Sequence, residues 1–296
     1  MQAFSSGLLD GKRILITGGG SGLGRGVARH LVDHGAVVHL WGRRAAVLEE
    51  AAEEVSAARP GTVHVHAVDV RRFDQVDDAM ESIWSEHGPL TGVVNNAAAN
   101  FIAQTQELSP RAFEAITGTV MSGSFHTTLA AGKRWIRDGL PGSVLSTLTS
   151  WVWTGSAYVV PSAMAKAAVH SMTMSLAVEW AKYGIRLNAV APGPIPTDYA
   201  WEMLNPTQSS SVGATQADQV PAGRAGTIEE LANLMMFLLS DACDYLTGQT
   251  IAMDGGQMLA GPGTFAGLTS LTDADWQEIK EKSLAATATS KAQRSV

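Results

Sequence analysis

Arg13-Ile14-Leu15-Ile16-Thr17-Gly18-Gly19-Gly20-Ser21-Gly22-Leu23-Gly24 is the stretch that decides the fold. The apolar run Arg13 to Thr17 has the length and content of a buried strand. A glycine-paved turn follows, and Leu23 to His34 then reads as a helix stopped at Gly35. Glycine lets the backbone turn tightly and approach a pyrophosphate closely. The helix behind it aims its first N–H groups and the positive end of its dipole at the same place. A glycine cluster alone marks no more than a tight turn. Here a strand enters it and a helix leaves it, which is the context a dinucleotide site requires. Gly18, Ser21, Gly22, Leu23 and Gly24 are the residues expected along the diphosphate.

The same alternation continues outward. Strands are predicted at Val37 to Trp41, Val63 to Val68, Gly92 to Asn95, Ser143 to Thr147, Arg186 to Ala191 and Thr250 to Met253. Helices are predicted between them at Ala45 to Ala58, Phe73 to His87, Pro110 to Arg137, Ala163 to Tyr183 and Thr227 to Leu239. Alternating β and α elements imply parallel strands, right-handed crossovers and helices on both faces. The fold class expected is therefore α/β, a Rossmann-type doubly wound parallel sheet of seven strands. Residues 1–296 read as one dinucleotide-binding domain, with a Ser-, Gln- and Pro-rich lid at about 197–220 and a tail at 257–296 carrying one short helix near Asp273 to Ala285.

Composition narrows the function. The net charge of -7 disfavours nucleic acid, whose phosphates need a positive surface. A single cysteine, Cys243, permits neither an intrachain disulfide nor a cysteine metal cluster. No apolar run approaches the ~20 residues of a membrane span. The N-terminal residues lack a basic-then-apolar signal and the C-terminal Arg294-Ser295-Val296 is no peroxisomal address, so a cytoplasmic protein is expected.

The second strand ends in Leu40-Trp41-Gly42-Arg43-Arg44. NAD sites place an acidic residue here for the ribose 2′-hydroxyl. Arg43 and Arg44 suit a 2′-phosphate instead, and point to NADP(H), unless they are only a solvated helix start. At the end of the third strand, Asp69-Val70 offers a carboxylate either to the adenine amino group or to the next helix as an N-cap. Asn95-Asn96-Ala97-Ala98 ends the fourth, with Asn96 and Ala97 small enough to let backbone lie on the cofactor.

Taken with Lys166, Pro192-Gly193-Pro194-Ile195-Pro196-Thr197 and Asp254-Gly255-Gly256, these pieces resemble the short-chain dehydrogenase/reductase family over roughly residues 10–257. The resemblance implies one doubly wound domain, frequently a homotetramer. It implies that Lys166 holds the nicotinamide ribose, and that Pro192, Gly193, Ile195 and Thr197 line the nicotinamide. Within the family, Asn95 to Ile102, Leu108-Ser109-Pro110, Val159 to Lys166, Glu179 to Gly184, Leu204-Asn205-Pro206 and Gly226 to Leu234 are similar to 2,4-dienoyl-CoA reductases.

Family members that reduce ketones use a Tyr four positions before the Lys, with Ser or Thr 13 before that, and an Asn on a preceding helix. Here those positions hold Ser162, Thr149 and Val120. An aliphatic hydroxyl is a poor general acid. Reduction of a conjugated thioester makes a different demand, because charge collects on an oxygen remote from the attacked carbon and needs donors already in place. In the mitochondrial reductases an Asn and a Tyr supply them; these match Asn100 and Trp151, and indole donates a hydrogen bond but delivers no proton. In the peroxisomal type an acidic residue stands where this chain has His170.

Ser162, Lys166 and His170 fall at i, i+4 and i+8, so one helix face can carry all three. His170 is either a proton donor near neutral pH or a packed helix histidine, and Tyr158 either a proton source or a wall residue. Trp151, Trp153, Tyr158 and Trp201 are aromatic walls for a conjugated chain, or core and interface packing. Asp198 to Met203 in the lid has no base, so acyl-CoA phosphates would have to meet Arg111, Arg224 or the tail. His64 and His66 show no metal-ligand spacing and read as structural. The expected activity is NADPH-dependent reduction of an acyl-CoA; the rivals are a carbonyl reductase or alcohol dehydrogenase with an unusual acid, and a non-catalytic NADP(H)-binding scaffold.

Overall fold

The computed structural model describes residues 4–100, 102–197, 220–261, 272–275, 277 and 281. The chain forms two compact units, Met1–Gln257 and Met258–Val296. The first contains every element discussed below. Trp201 and nearly all of the lid lie outside the described residues, as does most of the tail helix.

Seven strands are β1 (Arg13–Thr17), β2 (Val37–Gly42), β3 (Val63–Ala67), β4 (Gly92–Asn95), β5 (Gly142–Thr147), β6 (Ile185–Pro192) and β7 (Thr250–Met253). They form one sheet in the order β3-β2-β1-β4-β5-β6-β7, parallel throughout. The helices are α1 (Gly22–Asp33), α2 (Ala45–Ser56), α3 (Phe73–Glu86), α4 (Pro110–Thr117), α5 (Gly123–Asp138), α6 (Trp151–Thr154), α7 (Val160–Trp180) and α8 (Ile228–Leu239). The strand order reverses between β1 and β4, and that switch point opens the crevice where such sheets take ligands.

The strands are apolar on both sides because both sides are covered. Ile14, Ile16, Val38, Leu40 and Val94 pack with α1, α2 and α8, whereas Leu15, Trp41, Val93 and Val144 pack with α3 and α5. Among the described residues no helix is long and apolar enough to cross a membrane.

Three local outcomes depart from the sequence pattern. The predicted helix Pro110 to Arg137 is two helices joined by a π-helical turn, Gly118–Ser122, which holds Val120 buried. The helix predicted from Ala163 begins at Val160, because Pro161 sits in its first turn, where its missing N–H costs nothing. Asp69 does not cap α3: the N-cap position is Arg72.

Candidate active site

The glycine turn is built from the inside. Gly18 and Gly22 adopt φ of +66° and +52°, and the N–H groups of Gly18 and Gly19 donate to the Trp41 carbonyl at 2.8 and 3.2 Å. A Cβ on Gly24 would lie 2.3 Å from the Gly18 oxygen, so only hydrogen fits where the helix meets the turn. Thr17, which the sequence does not single out, organises the floor. Its Oγ1 accepts from the N–H groups of Asn96 and Ala97, both at 3.0 Å, and donates to the Val94 carbonyl. The Asn96 amide donates to the Thr17 carbonyl at 3.1 Å. Asn96 therefore braces the turn across the switch point, and Ala97 lies 3.0 Å from where a Gly18 Cβ would be. A glycine-walled turn that ends on a helix N-terminus is able to hold a diphosphate.

Arg43 and Arg44 stand exposed after β2, and neither forms an ion pair among the described residues. Asp69 stands after β3 and is engaged. Arg71 grips its carboxylate with Nε at 2.9 Å and Nη2 at 2.5 Å, and this pairing holds the Asp69 pKa below its ordinary value. A group from adenine would share that carboxylate with Arg71. Val70 is buried, and its carbonyl meets His126 Nδ1 at 3.0 Å.

At the far end of the crevice Lys166 is buried in α7 and donates to the carbonyl of Thr147, the last residue of β5. Burial pulls its pKa down to about 8. The hydroxyls of Thr147 and Thr149 and Oδ1 of Asn100 are buried without a hydrogen-bond partner. Buried polar atoms are ordinarily paired, so these three, at the end of β5 and in the loops after β4 and β5, are free to hydrogen-bond a bound group. Ser162 is 3% exposed, and its hydroxyl makes no hydrogen bond among the described residues. Ala99, beside Asn100, packs with Ile116, Val120 and Ala165, which ties that loop to the helix carrying Lys166.

His170, one turn beyond Lys166 on α7, is engaged by two neighbours. Its Nδ1 meets Thr250 Oγ1 at 2.8 Å and its ring meets Trp153 edge-on, with centroids 6.0 Å apart. Thr250 lies on β7, two strands from Thr147. Trp151 is half-buried at the start of α6, and Tyr158 is exposed with φ of +64°, its carbonyl taking the Ala103 N–H at 2.9 Å. That bond joins the loop after β4 to the entrance of α7. Strain of this kind in a non-glycine residue collects at functional loops.

Gly193 passes so close to Asp254 that a Cβ would lie 2.7 Å from its Cα, and the Gly193 N–H donates to the Met253 carbonyl. Pro192 ends β6, and Ile195 anchors the following segment in the core. Thr197 comes back to the glycine turn, 3.7 Å from a Gly22 Cβ. Arg224 is paired with Glu230 at 2.6 and 2.9 Å, and Glu230 also closes the capping box of α8. Arg111 is exposed on the first turn of α4, without an ion pair among the described residues.

Residues 18–258 match the family described as Enoyl-(Acyl carrier protein) reductase. The "Probable 2,4-dienoyl-CoA reductase [(2E)-enoyl-CoA-producing]" of Bacillus subtilis is 40% identical over 252 residues, covering 85% of this chain and 98% of that protein. A crystal structure of a short-chain dehydrogenase from Bacillus anthracis superposes with a TM-score of 0.75 at 39% identity, over 83% of this chain and 96% of that one. A gluconate 5-dehydrogenase from Burkholderia cenocepacia, solved with NADP and tartrate, gives a TM-score of 0.79 at 28% identity, over 86% and 98%.

Proposed function

The chain belongs to the short-chain dehydrogenase/reductase family, and from that we propose that it reduces a conjugated acyl thioester in the manner of a 2,4-dienoyl-CoA reductase, with NADPH as hydride donor. One observation carries the reading. Lys166 is buried at the end of β5 with Ser162, not a phenol, on the turn before it, and the loop leaving β4, which carries Asn100, packs through Ala99 against Ala165 of the same helix. Such a site holds a ribose and polarises an oxygen, but has no acid to hand directly to a ketone.

Bound in the crevice, the reduced nicotinamide supplies a hydride. The chain's own residues do the rest. The Gly18–Gly24 turn takes the diphosphate, Arg43 and Arg44 the 2′-phosphate, and Asp69 with Val70 the adenine. Lys166 donates to the ribose hydroxyls and fixes the ring against Pro192, Gly193, Ile195 and Thr197. Asn100, with the Trp151 indole N–H, donates to the thioester oxygen as charge gathers there. Ser162 orients the substrate beside Lys166. His170, engaged by Thr250 and Trp153, belongs to the wall rather than to proton transfer. Arg111 is the exposed base suited to a CoA phosphate. Exposed Met121, Phe125, Met164, Met174 and Val178 around α5 and α7 support association of copies into the family's homotetramer.

Reduced-cofactor absorbance followed with a dienoyl-CoA, an enoyl-CoA and a panel of small ketones tests the proposal. Turnover confined to thioesters is expected. Turnover confined to ketones makes the protein a carbonyl reductase, and tight NADPH binding without turnover makes it a scaffold.

A further inference from the structure

Four imidazoles meet at the β3 edge of the sheet, away from the catalytic end. His39 of β2 stacks on His64 of β3, its register partner, with ring centroids 4.9 Å apart. His87, just after α3, lies 4.1 Å from His64 and 5.1 Å from His39. His66 of β3 brings its Nε2 to 3.4 Å from His39 Nδ1. His39 is wholly buried, and its Nε2 has no hydrogen-bond partner among the described residues.

The charges around the cluster do not offset protonation. Arg13, at the start of β1, adds positive charge to His39 and His64. Among the described residues, Glu86 at the end of α3 is the carboxylate that favours a charged imidazole in this cluster, and it acts on His66. The α3 carboxylates Asp77 and Glu81 are bound to Arg134 of α5 at 2.7 and 3.0 Å, and Asp138 is taken by Trp84 and Arg137. Among the described residues no three metal-ligating side chains are disposed to hold an ion.

The strands that carry these rings also carry the adenosine end of the cofactor cradle. β2 delivers the Trp41 carbonyl that pins the glycine turn, then Arg43 and Arg44; β3 leads into Asp69. β3 is the outermost strand and pairs only with β2. We propose that the histidine cluster forms an acid-sensitive latch: with His39, His64 and His66 neutral it holds β3 against β2 and keeps the cradle intact, and their protonation parts the two strands and releases the dinucleotide.

Burial holds His39 at about 2 and pushes His64 and His66 below the ordinary histidine value, so acid acts by drawing the edge open rather than by charging the closed cluster. With an ordinary value in the open form, His39 alone favours opening about 30-fold at about pH 5, and His64 and His66 act in the same direction.

The test compares the wild-type protein with His64→Thr/His87→Gln, and with His39→Leu as a second variant should the first not fold. Dinucleotide affinity and amide exchange are measured at about pH 7.5 and about pH 5, using whichever dinucleotide binds, so that the result does not depend on the substrate or on cofactor choice. Comparing variants also cancels the titration of a cofactor phosphate. Between the two pH values the wild type is expected to lose roughly tenfold more affinity than the variants. Exchange of the amides of 63–67 should accelerate more in the wild type than in either variant, with β4 to β6 unchanged. Equal pH dependence in all proteins, or acceleration spread evenly over the sheet, overturns the latch.

Discussion

The ammonium of Lys166 donates to the backbone carbonyl of Thr147, and no carboxylate stands among the causes of its shifted pKa, which is burial alone. The charge is thus held by a neutral dipole, in a pocket that disfavours it. The folded-state value of about 8 lies below the 10.5 of the unfolded chain. Between those values the unfolded chain binds the extra proton, so stability rises with pH across that window. Against Lys166→Met, the wild type should gain up to about 3 kcal/mol from pH 8 to 10.5, read from urea midpoints. The same variant should lose roughly a hundredfold or more in turnover. A flat difference between the two proteins across that window would show that the ammonium is not buried as described.

In the proposed function, cofactor choice rests on two exposed guanidinium groups, Arg43 and Arg44. A hydrogen bond to a charged group contributes about 1.5–3 kcal/mol, so Arg43→Ala/Arg44→Ala should erase a preference for NADPH over NADH of roughly 10- to 150-fold. The check is the ratio of the two dissociation constants in wild type and variant. An unchanged ratio would leave these arginines as a solvated helix start.

The two glycines that frame α1 should respond differently. Alanine at Gly24 meets the Gly18 oxygen and Asn96 Nδ2, 2.3 and 2.7 Å from its Cβ, and both are held in the brace across the switch point. Gly24→Ala should therefore cost about 1–3 kcal/mol and lose dinucleotide binding. At Gly22 the Cβ has room, with Thr197 3.7 Å away, and only the positive φ is strained. Gly22→Ala should cost about 1 kcal/mol and leave binding measurable. Denaturant midpoints with a fluorescence titration distinguish the two, and equal behaviour would contradict the close approach at Gly24.

Much of this architecture is legible in the chain because it is local. The strand-turn-helix at Arg13–Asp33, the alternation of β and α elements and the exit of each strand are written in adjacent residues. What is not legible is either non-local or carried by backbone. The π-helical turn at Gly118–Ser122 interrupts a run whose helical periodicity continues across it, with no proline to announce it. The partner of Lys166 is a carbonyl, which every residue type possesses. His64 and His66 alternate visibly in their strand, but His39 and His87 join them only through sheet pairing and the return of α3. Thr17 looks like any strand residue until Asn96 and Ala97 are brought to its hydroxyl.

Asn100 and His170 are set apart by their partners, and their alanine variants should separate accordingly. Asn100 has an amide NH2 to give to an oxygen, whereas His170 already meets Thr250 at 2.8 Å on β7. Loss of a preorganised donor to a developing oxyanion costs about 10²–10³ in turnover. Asn100→Ala should show that loss with a thioester substrate while dinucleotide affinity stays within about threefold, since uniform binding is untouched. His170→Ala removes one hydrogen bond and an edge contact, worth about 1 kcal/mol of stability, and should leave both turnover and the shape of its pH profile in place. A collapse of turnover in His170→Ala together with loss of one limb of the pH profile would return the imidazole to proton transfer and displace Asn100 as the residue on which the thioester chemistry turns.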